Sequence, residues 1–564
     1  VKFNEYRYER PDVAAFEKQF KELLAVFSSA ANYEEQDAAM SGMNKLRSEF
    51  DTMQQIAYIR HSIDTNDEFY KAEQDFFDEN GPVVQEYITD YYRALVGSAF
   101  RAELESKWGR QLFQLAELSL KTFSPEIIED LQQENKLSTE YSKLIASAKI
   151  MFDGEERTLS QLSPFQQSTD RSVRKRASVA SSGFMAENEE QFDRIYDELV
   201  KVRTRIAKKL GFTNFVELGY ARMNRTDYTA EMVANFRNQV LEHIVPVATK
   251  LKERQRERIG VDKLYYYDEN LAFLTGNAKP KGDPDWIVQN GAKMYAELSS
   301  ETDQFFAFMQ DNGLMDLVAK KGKQGGGYCT YISEFGAPFI FSNFNGTSGD
   351  IDVLTHEAGH AFQVYESRSF AVPEYAFPTY EACEIHSMSM EFFTWPWMDL
   401  FFKEDVDKYR FQHLASALLF LPYGVTVDEY QHFVYENPDA TPAERKAAWR
   451  EIEKKYLPHR NYEENTYLEQ GAYWQRQGHI FGSPFYYIDY TLAQICAFQF
   501  WKRMQEDRSA AWADYLHLCR QGGSLSFTEL VKVAGLISPF EDGCVTSVIG
   551  SIDSWLESVD DQAL

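Results

Sequence analysis

Residues Asp350 to Glu366 read DIDVLTHEAGHAFQVYE, and the five at the centre, His356-Glu357-Ala358-Gly359-His360, decide how the rest of the chain is read. Two histidines four apart on a helix project from one face, a turn apart, so both imidazoles can reach a single metal ion. Glu357, beside the first of them, lies close enough to take a proton from a water attacking at that ion. The preceding stretch, residues 345 to 350 (NGTSGD), is rich in turn residues and launches the helix.

This H-E-x-x-H spacing is that of zinc metalloproteases. Catalytic zinc keeps three protein ligands and one open position, so a third ligand has to come from elsewhere. The next helical pattern, Thr379 to Phe393 (TYEACEIHSMSMEFF), offers Glu381, Glu384 and Glu391 roughly on one side, with His386 pointing elsewhere. Glu384 lies 24 residues beyond His360, room for a helix end, a loop and a return. Spacing alone does not choose among the three carboxylates. Asp352, one turn before His356, is placed to accept a hydrogen bond from a ligand imidazole, or simply to favour the positive end of its helix. Glu381 and Glu391 are candidates for the same supporting role.

The run Gly336 to Thr347 (GAPFIFSNFNGT), then HEAGH, then Glu384 to Glu391 (EIHSMSME), resembles the thimet-oligopeptidase superfamily, and within it the bacterial oligoendopeptidase F group. The likeness is sharpest from about Gly325 to Phe393 and again from His479 to Tyr490. It implies one Zn2+ per chain, held by His356, His360 and Glu384. It implies a mainly α, neurolysin-like zincin fold, with two helical lobes around a deep channel and a small β-sheet beside the zinc helix. Such a channel admits oligopeptides and excludes folded proteins. The resemblance also implies that His479, on a Gly-rich loop, and tyrosines on the following helix contact substrate and stabilise the oxyanion. Those roles align with Tyr487 and Tyr490, with Tyr486 as the alternative to Tyr487. Pro484 is expected to start that helix, which would put Tyr487 and Tyr490 on one face at i, i+3.

The activity expected from these residues is hydrolysis of internal bonds in short unfolded peptides, with Glu357 as general base and then acid. A zinc carboxypeptidase or dipeptidase of the same fold is the alternative enzyme, and would need a basic or Tyr/Lys site for the peptide C-terminus. An inactive peptide-binding scaffold is the alternative outside catalysis; the intact Glu357 speaks against it.

Working outward, YCTYIS (328 to 333), a turn at EFGA, and PFIFSNF (338 to 344) read as a hairpin after the glycine-rich KKGKQGGG. An edge strand beside the metal can hold an extended peptide by main-chain hydrogen bonds, and Gly336, Ala337, Pro338 and Phe339 are the residues expected to form it. Nearly everything else carries helical patterns: from Pro11 to about Lys121, including Tyr33 to Ile63 and Pro82 to Lys107, then Asn188 to Lys209, Thr229 to Ile259 and Trp286 to Gln310. Residues 122 to 187 are less regular, and GNAKPKGDPD (276 to 285) is a loop. The basic patch Arg171 to Arg176 (RSVRKR) is read as a solvated helix face rather than an anion site. Thr441-Pro442-Ala443-Glu444 is a capping box with Pro at the first helical position. A soft lobe boundary is expected near residue 205, dividing an N-terminal helical lobe (1 to 205) from a catalytic lobe (206 to 564).

At 564 residues with 44% hydrophobic and 15% aromatic content, the chain can build more than one core. Its 87 acidic against 59 basic residues, net −28, argue against a nucleic-acid or anionic-membrane partner, which would need a basic face. Five cysteines without a C-x-x-C pair predict no disulfide framework and a reducing, cytoplasmic setting. The opening VKFNEYRYERPD has no apolar leader core, and the greasiest run, Leu414 to Leu421, is far short of a membrane span. A monomer is expected, with a homo-oligomer left open.

Overall fold

Asp12, Asn32 and Asp67 each turn a side-chain oxygen onto free N–H groups at a helix start, and each opens a long helix: α1 (Val13–Ser29), α2 (Tyr33–Ile63) and α3 (Glu68–Val96). Because Asp67 caps α3, this helix begins well before Pro82 and runs through it. Phe16, Phe20 and Phe27 of α1 pack on Met40, Met43 and Phe50 of α2 and on Phe77, Tyr91 and Leu95 of α3, giving these helices a core of their own. Each large apolar side chain so buried contributes about 1.5–3 kcal/mol. The computed structural model describes residues 1–564 except Lys321 and Gly325, which lie within the glycine-rich lead-in to the hairpin, and leaves the side chains of Asp78, Pro82, Thr139, Ser142 and Ser160 undescribed.

From Ile127 onward most buried apolar side chains belong to a larger core that takes in the helix of His356 and His360; Phe3, Tyr6, Ile56 and Ile59 join it from the N-terminal helices, and Val372 and Tyr375 return to the smaller one. The helix Glu189–Lys209 spans residue 205 without a break, and its Tyr196, Val200 and Ile206 belong to the larger core. In the irregular stretch before it, Asp153-Gly154, both at positive φ, turn a short hairpin, β1 (Ile150–Phe152) and β2 (Glu155–Arg157). The basic patch is consumed by ion pairs: Arg171 and Arg174 converge on buried Asp268 at 2.8 Å each, Lys175 meets Glu463 and Arg176 meets Asp153. Ser299 splits the expected Trp286–Gln310 helix by capping a second one, so that Pro284–Leu298 is followed by Ser300–Asp311.

Three strands then form a sheet in the order β3-β5-β4, where β3 is Met315–Val318, β4 Tyr328–Ile332 and β5 Ala337–Phe344. The hairpin β4–β5 has the register Ile332↔Ala337 to Tyr328↔Phe341, and β3 joins the far side of β5 in parallel. This overturns the edge-strand expectation for Gly336, Ala337, Pro338 and Phe339. Gly336 lies in the turn, while Ala337–Phe339 are buried at the start of the middle strand, paired to β4 on one side, with the ring of Phe3 4.7 Å from that of Phe339. The outer strand on the α2 side is β4.

Four further helices position the side chains singled out in the sequence: α4 (Gly349–Ser367), α5 (Tyr380–Phe393), α6 (Val406–Glu436) and α7 (Ile488–Glu506). The helix Pro442–Tyr456 starts on the reciprocal Thr441/Glu444 bonds expected of its capping box. Among the described residues no helix is long and apolar enough to cross a membrane.

Candidate active site

α4 carries His356, Glu357 and His360, and it meets α5 backbone against side-chain-free backbone at Gly359. A Cβ there would lie 2.6 Å from the carbonyl oxygen of His386 and from Cα of Ser387. That close approach brings Glu384 to the imidazole pair. Its Oε2 lies 3.2 Å from His356 Nε2 and its Oε1 3.8 Å from His360 Nε2, and one donor atom from each residue falls within 4.8 Å of the others. Two donors at about 2.0–2.1 Å from a tetrahedral ion stand about 3.4 Å apart, so this set of two nitrogens and one oxygen has the chemistry and the spacing for such a cation.

The electrostatics agree. Burial disfavours a charged His356, yet the carboxylates of Glu384 and Glu391 raise its pKa well above the usual range; a pocket of this kind attracts positive charge. Burial lowers His360 to about 4, leaving a neutral imidazole with a free lone pair. Against burial, the hydrogen bond with His356 brings Glu384 down to about 2. Among the described residues Glu357 has no such partner, and burial raises it to about 7, with His356 opposing and the Glu384 and Glu391 charges adding to the rise. A carboxyl that titrates near neutrality suits a group that first takes and then returns a proton.

Of the three supporting candidates, one sits on a histidine of the pair. Glu391 Oε2 lies 3.1 Å from His356 Nδ1. Asp352 instead accepts from the Tyr409 hydroxyl at 2.6 Å, so its side chain is spent on α6 rather than on an imidazole. Glu381 turns away from the histidines altogether. It is buried with Thr379 and Tyr228 as hydrogen-bond donors, beside Asp489 and Arg225.

The tyrosine loop departs from expectation for a local reason. Phe485 takes φ +67°, a conformation that interrupts any helix started at Pro484, and α7 begins only at Ile488. Gln431 accepts from the Phe485 N–H at 2.9 Å, and Arg225 donates to its carbonyl and to Asp489 Oδ1, so a distant helix and a distant loop hold this turn. The outcome is that Tyr486 and Tyr490, 5.2 Å apart by ring centroid, both feel the Glu384 charge. Tyr487 is buried against Phe420 and Tyr423, and its neighbours in charge are Tyr473 and Tyr490. Of the two alternatives, Tyr486 is the one close enough to Glu384 to feel its charge, while the Tyr487 ring lies 5.1 Å from that of His479. The ring of His479 lies 5.9 Å by centroid from Tyr486, tilted to it, and 5.9 Å from Tyr490, edge-on to it. Tyr423 donates to the Gln477 carbonyl oxygen, which turns the Gln477 amide N–H onto His479 Nδ1 at 2.9 Å and leaves Nε2–H as the outward donor. Burial lowers the His479 pKa, keeping the ring neutral.

β4 runs past this group. Burial first, then the Glu357 and Cys383 charges, push the Cys329 thiol well above its usual pKa, and the exposed Gly327 just before β4 has its would-be Cβ 3.9 Å from Glu357 Oε1. Beyond the other end of β4 lies a cavity of about 1040 Å³ between α2, α3 and the segment after α4, lined among others by Ser48, Asp51, Tyr331, Ser333 and Arg368.

Residues 165–548 match the pattern of peptidase family M3, and residues 3–123 match the peptidase M3 N-terminal domain. The chain belongs to peptidase family M3. Among solved structures, this M3 peptidase is 69% identical to PZ peptidase A, solved with an inhibitor, over 100% of both chains at a TM-score of 0.92. It is 66% identical to a protein assigned as an oligoendopeptidase F from Bacillus anthracis str. Ames, over 100% of this chain and 99% of that one, TM-score 0.88. These likenesses put it in the oligoendopeptidase F group of the family. The oligoendopeptidase-F of Enterococcus faecium, at 16% identity, 98% and 91% coverage and a TM-score of 0.55, shares the fold. No curated protein matches the chain. The mainly helical, zincin-like fold is that of the family, and the protein is a peptidase.

Sequence reasoning missed Gln477, Arg225, His413 and Trp395. Gln477 stands two residues before His479 and could have been suspected; the other three reach the site only through folding.

Proposed function

We propose that this M3 peptidase is a zinc-dependent oligoendopeptidase that cuts internal bonds of short, unfolded peptides. The observation that carries the reading is the convergence of His356 Nε2, His360 Nε2 and a Glu384 oxygen within 4.8 Å, with the near-neutral carboxyl of Glu357 on the adjoining position of the same helix. When bound there, zinc supplies Lewis acidity toward the scissile carbonyl and brings the pKa of water close to neutrality. Glu357 takes the proton of the attacking water and passes it to the leaving amine. The phenols of Tyr486 and Tyr490 and the Nε2–H of His479 donate to the oxyanion as it develops. Glu391 accepts from His356 Nδ1 and so keeps the Nε2 lone pair of that ring turned toward the metal position.

The peptide lies extended along the outer edge of β4, where main-chain pairing is indifferent to side-chain identity. The cavity beyond Tyr331 takes the continuing chain, and a space of this size suits a few residues rather than a folded domain. All five cysteines are free thiols, in keeping with a cytoplasmic setting.

The test is digestion of a mixed peptide pool, read by product masses, with and without a chelator and with zinc restored. Internal cuts that vanish with chelator and return with zinc are expected. Release of single residues from a terminus, or cleavage indifferent to the chelator, would replace this reading.

A further inference from the structure

Behind Glu391 a hydrogen-bond chain continues into parts of the molecule with no assigned role. Trp395, in the turn after α5, points its indole N–H at His413 Nδ1 at 2.9 Å. His413 Nε2, on α6, lies 3.1 Å from Glu391 Oε1, and Glu391 Oε2 lies 3.1 Å from His356 Nδ1. The direction of the chain is set by its first member. An indole nitrogen can only donate, so His413 Nδ1 must be the bare nitrogen and Nε2 must carry the hydrogen. That hydrogen is spent on Oε1 of Glu391, which leaves Oε2 to accept from His356 Nδ1–H. Nε2 of His356, which faces Glu384 Oε2 at 3.2 Å, is thereby the nitrogen left to exchange its hydrogen for a metal ion.

The ring of His413 has no freedom to reverse this order. Tyr409 stacks on it at 5.3 Å and 13°, with its own hydroxyl tied to Asp352, and Phe392 meets it edge-on at 5.2 Å. The trio Asp352, Glu391 and His413 also gathers donor atoms within 4.8 Å and has the composition of a second cation site. Its hydrogen bonds argue otherwise. The His413 nitrogen that faces the carboxylate is the protonated one, and Asp352 is engaged by Tyr409.

We propose that Trp395 and His413 are positioning residues that set the tautomer of His356, and so the readiness of the metal position, through Glu391. The inference rests on His356 being a ligand, as in the proposed function. Without His413, Oε1 of Glu391 loses its buried donor, and the carboxylate is free to rotate away from His356 Nδ1, which releases the imidazole from its fixed orientation.

The measurement is zinc affinity of the full chain, by competition with a chelator of known strength, for wild type, His413→Leu, His413→Gln, Trp395→Phe and His356→Ala, with zinc stoichiometry and thermal melting recorded for each. His413→Leu is expected to weaken zinc binding about 10–100-fold. Trp395→Phe, which keeps the packing and removes the donor, should weaken it by a smaller factor. His413→Gln should recover most of the affinity, because its amide N–H can reach Glu391. Wild-type affinity in both His413→Leu and Trp395→Phe, or His413→Gln as weak as His413→Leu, overturns the proposal, as does a second zinc per wild-type chain. If His413→Leu fails to fold, Trp395→Phe and His413→Gln decide the matter. His356→Ala separates the two levels: if it binds zinc like wild type the ligand set itself is wrong, whereas loss there with full affinity in the relay variants defeats only the relay.

Discussion

Gly359→Ala adds one methyl group where α4 and α5 touch. Its carbon would stand 2.6 Å from the His386 carbonyl oxygen and from Ser387 Cα, both backbone atoms that no rotamer change can remove. Ordinary contact begins near 3.4 Å, so the helices have to part by about 0.8 Å at this point. Ser387 is one turn from Glu384, and the carboxylate travels with it. Its distances to His356 and His360, now 3.2 and 3.8 Å, would open to about 4.0 and 4.6 Å, against the about 3.4 Å that two donors of one tetrahedral zinc span. Such overpacking typically costs about 1–3 kcal/mol, and a comparable loss in metal binding corresponds to about 10–100-fold in affinity. The expected result is a folded protein with a lowered melting temperature, zinc affinity down by at least about tenfold, and peptidase activity rescued in part by excess zinc. Wild-type zinc affinity in Gly359→Ala would refute the argument that this contact sets the reach of Glu384.

Three other outcomes are expected of the site and its surroundings. Glu357→Gln should keep its zinc, read by elemental analysis, while kcat falls by about 10²–10⁴; turnover near the wild-type rate removes the proton-transfer role. Tyr486→Phe and Tyr490→Phe should each lower kcat by about 10²–10³ with KM little changed, whereas Tyr487→Phe, whose ring is buried against Phe420 and Tyr423, should cost little; the reverse order in steady-state kinetics would give the oxyanion role to Tyr487. Glu381 is raised to about 8, by burial first and then by Asp489. A group raised on folding stabilises fully below its unfolded pKa and loses that contribution as pH climbs through the folded one. The melting temperature should therefore decline between about pH 4.5 and pH 8, and Glu381→Gln should flatten that decline. An identical slope in the variant would show that Glu381 is not the group responsible.

How far local sequence could go is visible residue by residue. His356, Glu357 and His360 are readable because one helix period puts them together without help from anywhere else. Glu384 is not distinguishable from Glu381 and Glu391 by spacing, and requires the family resemblance. What separates them in the folded chain is remote. Tyr228 and Arg225 draw Glu381 into a buried cluster with Asp489, and His413 receives Glu391. The same holds for the tyrosines. A helix from Pro484 is the natural reading, but Arg225 and Gln431, 260 and 54 residues away in the chain, hold Phe485 at positive φ and delay the helix to Ile488.

The sheet makes the most consequential case. A hairpin announces itself locally, by two apolar runs and a turn, and β4–β5 is recognisable on that basis. Which of its strands is an edge depends on a third segment, β3, whose four residues MDLV carry no signal for a parallel partner lying beyond an intervening loop and strand. With β3 seated on β5, the outer edge that begins at Gly327, near Glu357, belongs to β4. This transfer gives a reason for the glycine at position 327. A side chain there would begin 3.2 Å from the Phe341 carbonyl and 3.3 Å from Val353, and would extend into the space in front of Glu357. A peptide paired along β4 has to pass through that space to reach the metal position, so an extended substrate and a side chain at residue 327 compete for the same volume.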